Sequence, residues 1–365
     1  MKNTICLSMI VKNEAHIIRR CLDSVKPILT HWVIVDTGST DGTQDLIREI
    51  MKDIPGELYE EPWKNFGYNR TQSLQYAQGK AEYTFVIDAD DYLEVLPSFN
   101  NVLLEKEAYY LKIIDMNLSY ERLQLFKNSL QWSYVGVLHE YPDCDSHNEF
   151  GKCLELVYHR VSGAGARSLD PNKFLKDAAI LEQGIIDEPN NHRYVFYLAQ
   201  SYRDAGKNIE AYDNYKKRSL LGGWFEEVFY SLFQMGVLLE RMSAPKKEIV
   251  DAYLAAYQYR PFRAEPLYAL AKYFRFRKEY ALALLFAERA VKIPHTSDVL
   301  FVDKLNYDWQ ILDEYAVALS WVGHFKESFL TNEKILLRDD LPLADKERIE
   351  KNLEFCRSVC EKQSL

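Results

Sequence analysis

Three carboxylates stand close together at the end of one apolar run. The run covers 83–87 and lacks polar alternation, which is typical of a buried strand. It leads directly into Asp88, Asp90 and Asp91. Crowded carboxylates raise one another's pKa unless a cation lies among them, and oxygen ligands suit Mg²⁺ or Mn²⁺ together with substrate phosphates. The stretch predicts a metal–diphosphate site, or else an acidic turn in which Asp90 or Asp91 caps a following helix.

The chain before these acids supplies the elements that would position them. Apolar runs at 5–11 and 32–35 are each followed by a helical pattern, and this βαβα order is typical of a doubly wound parallel sheet. Ligands bind such sheets at the carboxyl ends of the strands. We therefore expect Asp36, which follows the second run, to face the same crevice as Asp88. Asp36 would accept a hydrogen bond from a nucleotide base or ribose, or else cap the turn at 37–43.

The helical patterns have recognisable limits. A first helix is expected to open at 12–14 and to end at Pro27, which cannot continue it. A second is expected over 44–51, where Asp41 would be a structural turn and helix-entry residue. Further strands are expected at 108–114, 122–126, 132–140 and 157–160.

Length and composition limit the class of protein. A chain of 365 residues is expected to form two domains, and 47% hydrophobic residues indicate a globular protein. The formal charge of −9 argues against a nucleic-acid partner. Six cysteines without a CxxC pair, and an amino terminus that leads directly into a strand, predict a cytoplasmic protein with reduced thiols and no signal peptide. The longest apolar run, 281–287, is too short to span a bilayer.

Three motifs in order resemble those of family-two glycosyltransferases, which have the GT-A fold. They are SMIVKNE at 8–14, IVDTGSTDGT at 34–43 and IDADD at 87–91. The clear resemblance covers about residues 4–95, and a weaker similarity continues to about 170. Four further residues are similar to the linker and helix start of a branch that carries tetratricopeptide repeats after its catalytic domain: Trp63, Phe66, Asn69 and Arg70.

The resemblance implies a fold, a cofactor and several roles. It implies a GT-A, Rossmann-like α/β domain that binds a nucleotide-diphosphate sugar, a UDP-sugar, with Mn²⁺ or Mg²⁺ and with inversion of the anomeric centre. Asp90 is the expected direct metal ligand, since it matches the last Asp of the Asp-x-Asp motif. Asp88 is expected at the metal or its bound water, the ribose or the sugar. Asn13, in the first motif, and Asp36 are expected at the donor.

The catalytic base and remaining ligands are less constrained by the sequence. Glu140 closes a segment similar to the Gly-x-x-His-Glu of the repeat-bearing branch and is the candidate base, with Asp91 as its rival. Adjacent residues on a strand point to opposite faces, so His139 and Glu140 could serve one site only from a loop. His159 is a candidate third metal ligand or an ordinary surface histidine. Arg70 would bind the diphosphate or donor sugar, or be an exposed helix charge; Arg167 has the same alternatives.

The second half has a helical repeat pattern. From Asn172 onward the sequence is almost wholly helical in pattern, and small residues recur twelve positions apart in three pairs: Ala199 and Ala211, Ala271 and Ala283, and Ala316 and Ser328. Gly206 and Gly323 fall seven positions after the first members, and a degenerate unit covers 236–259. The pattern resembles tetratricopeptide repeats; the alternative is a generic helical bundle. We predict an α/β domain at 1–168 and an all-α repeat domain at 169–365.

Together these features predict a metal-dependent, inverting glycosyltransferase. Its repeat domain would position a peptide, protein or glycan acceptor, because repeats form surfaces suited to extended segments. The Gln-x-x-Arg-Trp motif of processive members is absent, which speaks against a polysaccharide synthase. The alternative is a non-catalytic, nucleotide-sugar-binding repeat scaffold for protein–protein interaction. The intact Asp88-Ala89-Asp90 favours the enzyme.

Overall fold

The computed structural model describes residues 3–116, 118–145, 149–161 and 163–363. Its internal contacts divide the chain into two compact units, 1–189 and 190–365. The first unit combines strands with helices, and within the described residues every regular element of the second is a helix. This order confirms the predicted fold class, an α/β domain followed by an all-α domain.

The first unit is built on a mixed sheet with the strand order β3-β2-β1-β4-β7-β6-β10-β5, beside a separate hairpin of β8 and β9. The strands are β1 (Ile5–Val11), β2 (His31–Asp36), β3 (Gly56–Glu60), β4 (Tyr83–Val86), β5 (Tyr92–Val95), β6 (Ala108–Asp115), β7 (Leu118–Lys127), β8 (Trp132–Val135), β9 (Tyr141–Cys144) and β10 (Phe150–Arg160). Strands β3, β2, β1 and β4 are mutually parallel. Their carboxyl ends therefore meet at one edge.

Within its described residues the first unit also contains four α-helices. They are α1 (Ile18–Val25), α2 (Thr43–Ile50), α3 (Phe66–Ala77) and α4 (Lys173–Asp187). Ile18, Cys21, Leu22 and Val25 follow helical spacing and are buried, so α1 packs a continuous apolar face into the core of the sheet. Helix α4 lies within the first contact unit, beyond the boundary expected after 168, and that boundary stays a prediction.

Three local expectations are corrected by the structure. The first helix begins at Ile18 rather than at 12–14, because the backbone amides of Asn13, Glu14 and Ala15 donate to side chains of the 37–43 turn. A strand, β5, follows Asp91, so the alternative of a helix capped there is wrong.

The expected strand over 132–140 ends at Val135. Gly136 and His139 both have left-handed backbone, with φ of 106° and 53°, which a strand cannot contain. Residues 136–140 therefore form the loop of the β8–β9 hairpin, which is the condition under which Glu140 could join a shared site.

The second unit is a series of antiparallel helix pairs. The helices are α5 (His192–Asp204), α6 (Asn208–Leu220), α7 (Phe225–Arg241), α8 (Lys246–Tyr259), α9 (Glu265–Phe276), α10 (Tyr280–Val291), α11 (Ile311–Trp321), α12 (Phe325–Leu336) and α13 (Leu343–Gln363). The predicted small residues are buried where paired helices meet. For example, the Ser328 hydroxyl donates to the Ala316 carbonyl at 2.7 Å. In the degenerate unit, a Cβ on Gly236 would lie 2.6 Å from the Tyr253 ring.

The repeat register is also visible in the backbone. A residue with positive φ follows the first helix of each of four pairs, seven positions after the small residue: Gly206, Ser243, Lys278 and Gly323. Left-handed residues of this kind end helices by satisfying their last carbonyls. Among the residues that the structure describes, no helix is both long and apolar enough to cross a bilayer.

Candidate active site

The carboxyl edge of the parallel strands brings the acids of two motifs together. Strand β1 lies between β2 and β4, with Val11 beside Asp36 and Ser8 beside Val86. Asp36 is therefore the last residue of β2, and Asp88 follows the end of β4; these two strands flank β1. The strand order therefore places the two acids at the same edge of the sheet, on opposite sides of one central strand, and that they share a ligand stays a prediction.

Asp36 has one satisfied and one unsatisfied oxygen. Its Oδ1 accepts from the amides of Gly38 at 2.9 Å and Ser39 at 2.8 Å and from Gln44 Nε2 at 3.1 Å. Its Oδ2 is buried and has no hydrogen-bond partner within the described residues. Asp36 thus caps the 37–43 turn and also retains an acceptor that a ligand could fill, so the two alternatives raised by the sequence are compatible.

Asn13 and Asp41 tie the β1 loop to the same turn. The Asn13 side-chain oxygen accepts from the Thr40 amide at 2.8 Å, and Asn13 itself has left-handed backbone with φ of 57°. Asp41 accepts from the Ala15 amide at 3.0 Å and from the Thr43 hydroxyl at 2.5 Å. Asp41 therefore has a structural role. Asn13 is engaged within the protein, and its contact with a donor stays a prediction.

Arg70 bridges two acids that are distant in the sequence. Its Nη2 lies 2.5 Å from Asp88 Oδ1, and its Nε lies 2.6 Å from Glu140 Oε1. The Arg70 and Glu140 side chains are only 9% and 7% exposed, so Arg70 is a buried ion-pair residue rather than an exposed helix charge. Burial alone would raise the pKa of Asp88, but Arg70 and the nearby Arg122 hold that pKa below its ordinary value.

Helix α3 presents Arg70 to Glu140 because the helix packs closely on the 136–140 loop. The Asn65 side chain caps the helix by accepting from the Tyr68 amide at 2.8 Å. The Phe66 amide donates to the Val137 carbonyl at 3.2 Å. A Cβ on Gly67 would lie 2.0 Å from the Gly136 carbonyl oxygen, so glycine is needed at this approach. One turn later, Arg70 reaches both acids.

Asp90 lies beneath the segment that follows β10. A Cβ on Gly165 would come within 2.5 Å of Asp90 Oδ2, so this backbone covers the carboxylate. Burial and the charge of Asp88 raise the pKa of Asp90. Arg20 donates to the Asp90 carbonyl oxygen, not to its carboxylate. Within the described residues the Asp90 carboxylate has no ion-pair partner, which leaves it suited to a cation.

Asp91 is committed to internal hydrogen bonds. Its Oδ2 accepts from the Tyr158 hydroxyl at 2.6 Å, and its Oδ1 accepts from the Val161 amide at 2.9 Å. Burial and the neighbouring Asp88 raise its pKa to about 6. Asp91 therefore connects the acidic turn to the end of β10.

His159 lies on β10 beside β5, where its ring contacts Glu94 and Tyr92. Its Nε2 lies 2.9 Å from Glu94 Oε2, and its ring stacks on Tyr92 with 4.6 Å between the centroids. Across the part of the chain that the structure describes, no group of three or more His, Cys, Asp or Glu side chains is arranged as a ligand set. His159 as a third ligand with Asp88 and Asp90 stays a prediction.

The structure adds residues that the sequence reasoning did not single out. The Glu14 carboxylate accepts from the Ala166 amide at 3.2 Å, and burial, with a further contribution from Asp90, raises its pKa to about 7. His16 Nε2 lies 2.9 Å from the Ala164 carbonyl. Glu14 belongs to the first motif and could have been found there, whereas nothing in the sequence marks its contact with the segment after β10.

The comparisons with known proteins agree with the domain order. Residues 6–108 match the model of the family described as Glycosyl transferase family 2. This match confirms the resemblance that the three motifs indicated for the N-terminal part of the chain.

Two curated proteins and one solved structure are similar to parts of the chain. The chain is 27% identical over 230 residues to the SPbeta prophage-derived glycosyltransferase SunS of Bacillus subtilis, across 59% of this chain and 53% of that protein. It is 30% identical over 148 residues to a TPR repeat-containing protein of Synechococcus elongatus, across 38% of this chain and 35% of that protein. The chain thus spans about half the length, or less, of these relatives. The S. aureus TarS 1–349 structure, in complex with UDP-GlcNAc, is 12% identical, with a TM-score of 0.39 and coverage of 70% of this chain and 90% of that one.

Proposed function

We propose that this protein is a metal-dependent, inverting glycosyltransferase that moves a sugar from a UDP-sugar to a peptide, protein or glycan acceptor. The observation that carries the proposal is that Asp36, Asp88 and Asp90 all lie at the carboxyl edge of the parallel strands, in the region that matches the family 2 model. The proposed division of labour is a catalytic domain at 1–168 and an acceptor-positioning repeat domain at 169–365.

The proposed donor site is supported by the unsatisfied oxygen of Asp36. A buried carboxylate oxygen without a partner is costly, and a base or ribose donor would relieve that cost. Asn13, which fixes the neighbouring turn, is proposed to shape the same site. Arg70 is proposed to orient Asp88 and Glu140 toward the donor sugar.

The residues present fit a divalent metal. Magnesium-like ions are commonly held by one or two carboxylates and completed by substrate phosphates, so an assembled three-residue cage is not required. Asp90, whose carboxylate has no ion-pair partner among the described residues, would be the direct ligand, and Asp88 would contribute to the same ion or its bound water. When bound, the ion would neutralise the charge that develops on the leaving diphosphate.

Glu140 is proposed as the general base. In the proposed reaction the acceptor nucleophile bonds to the anomeric carbon, the bond from that carbon to the diphosphate oxygen breaks, and the acceptor proton passes to the base. Arg70 holds Glu140 beside Asp88, whereas both oxygens of Asp91 already accept hydrogen bonds. These contacts support Glu140 over Asp91.

The second candidate function is the non-catalytic scaffold. It is favoured by one observation, that Arg70 neutralises Asp88 and thereby occupies an acid of the Asp-x-Asp motif. A panel of UDP-sugars, assayed for UDP release with Mn²⁺ and with excess chelator, separates the two. The enzyme proposal expects turnover of at least one donor that chelator abolishes. Donor binding without UDP release, with or without candidate acceptors, would favour the scaffold.

A further inference from the structure

One connection in the helical domain is much longer than the others. Successive helices are joined by short segments such as 205–207, 260–264 and 322–324. Residues 292–305, in contrast, run between α10 and the π-helical turn Asn306–Gln310. We call this segment the strap. It is anchored at three points: one in the connection between α8 and α9, one on α7, and one between α5 and α7.

The first anchor is the Asp298 carboxylate. It accepts from Arg260 Nε at 3.0 Å and from Arg263 Nη1 at 3.2 Å, and its side chain is 4% exposed. Both arginines lie in the connection between α8 and α9. Arg263 is also held by Glu265, whereas Arg260 has Asp298 as its ion-pair partner. Removing the strap would therefore leave Arg260 without a counterion.

The second anchor recognises backbone rather than a side chain. The buried Glu226, in the first turn of α7, accepts from the amides of Val299 at 2.8 Å and Leu300 at 2.7 Å through its Oε2. Successive amides of an extended segment point to opposite sides, so two that donate to one oxygen mark a local turn of the strap; the contact still does not depend on the side chains at those positions. Charge-assisted hydrogen bonds of this type are among the stronger ones in proteins.

The third anchor is an aromatic contact. The Phe301 ring lies 4.7 Å from the ring of Tyr230 on α7 and 6.3 Å from that of Phe196 on α5. Tyr230 is itself fixed by a hydrogen bond from Arg203 at 3.0 Å. Phe301 is still 49% exposed and has a φ of 47°, a backbone conformation that non-glycine residues disfavour. The backbone of the strap is thus strained at Phe301, and only one side of the Phe301 ring is covered by the protein.

The two arginines that bind Asp298 also have contacts outside the strap. Arg260 lies over the rings of Phe225, at 4.2 Å, and Phe262, at 4.3 Å. Arg263 is positioned by Glu265 and by the ring of Phe229 at 4.4 Å. The cation, the buried carboxylate of Glu226 and the aromatic pair therefore remain arranged if the strap leaves.

We propose that the α5–α7 face, with Arg260, is a docking site for a peptide segment that carries an acidic residue three positions before an aromatic one and turns between them as the strap does. The strap, with Asp298 and Phe301 at that spacing, occupies the site from within the chain and competes with such a partner. The proposal concerns binding and goes beyond the transferase activity, so it stands or fails independently of it.

The test uses a fluorescent, end-blocked peptide with the sequence HTSDVLFV, which is residues 295–302, and the full-length chain. Fluorescence anisotropy measures its affinity for the wild type and for Asp298→Ala/Phe301→Ala, which lacks both side-chain anchors of the strap. Because an occupied site lowers apparent affinity by the fraction of competent protein, the double variant should bind at least about tenfold more tightly. Phe301→Ala alone keeps the buried Asp298 pairs and should bind at least about threefold more tightly, which keeps the test valid if the double variant does not fold.

Matched controls separate docking from general loosening. Val299→Ala alters a side chain that is 77% exposed and should bind as the wild type does. Adding Arg260→Ala to the double variant should abolish the gain in peptide affinity. A peptide with alanine at the positions of Asp298 and Phe301 should not bind. The proposal is overturned if the strap variants gain no affinity, if the gain survives Arg260→Ala, or if sedimentation shows the site filled by the strap of a second copy.

Discussion

Arg70 and Glu140 are 70 positions apart in the sequence and form a buried ion pair, with 2.6 Å between Arg70 Nε and Glu140 Oε1. The same guanidinium reaches Asp88, so one cation joins the acidic turn after β4 to the loop of the β8–β9 hairpin. Folding of the first unit therefore assembles the candidate base and the metal motif through one residue.

Removing this cation should be costly. Arg70→Met removes the ion-pair partner of the buried Glu140 and of the partly exposed Asp88, and we expect it to lower the free energy of unfolding by about 3–5 kcal/mol. The control is Arg48→Met, which removes an exposed arginine paired with Asp45 and should cost about 0–1 kcal/mol. Urea denaturation of both variants measures the difference. Equal small losses would mean that the bridge contributes little to the fold.

The two roles of Asp36 can be separated by one substitution. Asp36→Asn keeps an oxygen for the amides of Gly38 and Ser39 but replaces the unsatisfied acceptor with a donor. We expect UDP affinity, measured by calorimetry, to fall by about 1–3 kcal/mol, since a hydrogen bond to a charged group is lost. The melting temperature should change little. Unchanged affinity with a lower melting temperature would assign Asp36 to the turn alone.

Glu14 should make stability depend on pH. Its pKa is raised from 4.5 to about 7 by burial, so the folded state binds the proton more tightly than the unfolded state. Below pH 4.5 the ionisation of Glu14 therefore does not lower the free energy of unfolding. As the pH rises from 4.5 to about 7, ionisation increasingly favours the unfolded state, and the loss of stability is complete above pH 7. Glu14→Gln keeps the acceptor for the Ala166 amide and removes the charge. The variant should be more stable than the wild type at pH 8 by about 1–3 kcal/mol, after allowance for partial solvent screening.

Denaturation at pH 4 is the matching control for Glu14. There the carboxyl is protonated in both states, so wild type and variant should be equally stable. A difference of the same size at pH 4 and pH 8 would show that titration of Glu14 is not its source.

Glu140 is expected to act as the base. Glu140→Gln retains the size and removes the basicity, so sugar transfer should fall at least about a hundredfold. UDP affinity should remain close to that of the wild type. Asp91→Asn is the comparison, because Asp91 is the rival base and is already hydrogen-bonded to Tyr158 and Val161. A near-wild-type rate for Glu140→Gln with a large loss for Asp91→Asn would reassign the role.

The sequence predicted the elements whose signals are local. Strands buried in a parallel sheet lack polar alternation, so the 5–11 run coincides with β1 and the 32–35 run lies within β2, which ends at Asp36. The repeats were visible because helices in contact need small residues, as Ala316 and Ser328 show. Both features depend on neighbours in sequence or on a fixed period.

Features that depend on distant contacts were not predictable in this way. Residues 13–15 look like a helix start, but side chains of the 37–43 turn hold them in a loop. The Arg70–Glu140 pair, the cover of Gly165 over Asp90 and the three anchors of the strap join segments with no common motif or period. Each is determined by tertiary packing, which a single sequence does not display.

UDP release by the Asp90→Asn variant tests the central claim most directly. The assay uses full-length protein, the UDP-sugar that the wild type turns over best, and saturating Mn²⁺. The control is Asp45→Asn, which alters an aspartate whose side chain is 90% exposed. If Asp90 is the direct ligand of the ion that neutralises the leaving diphosphate, its variant should lose at least about a hundredfold in rate while Asp45→Asn retains wild-type turnover. Wild-type turnover by a folded Asp90→Asn variant would contradict the proposed metal-dependent transfer at this site.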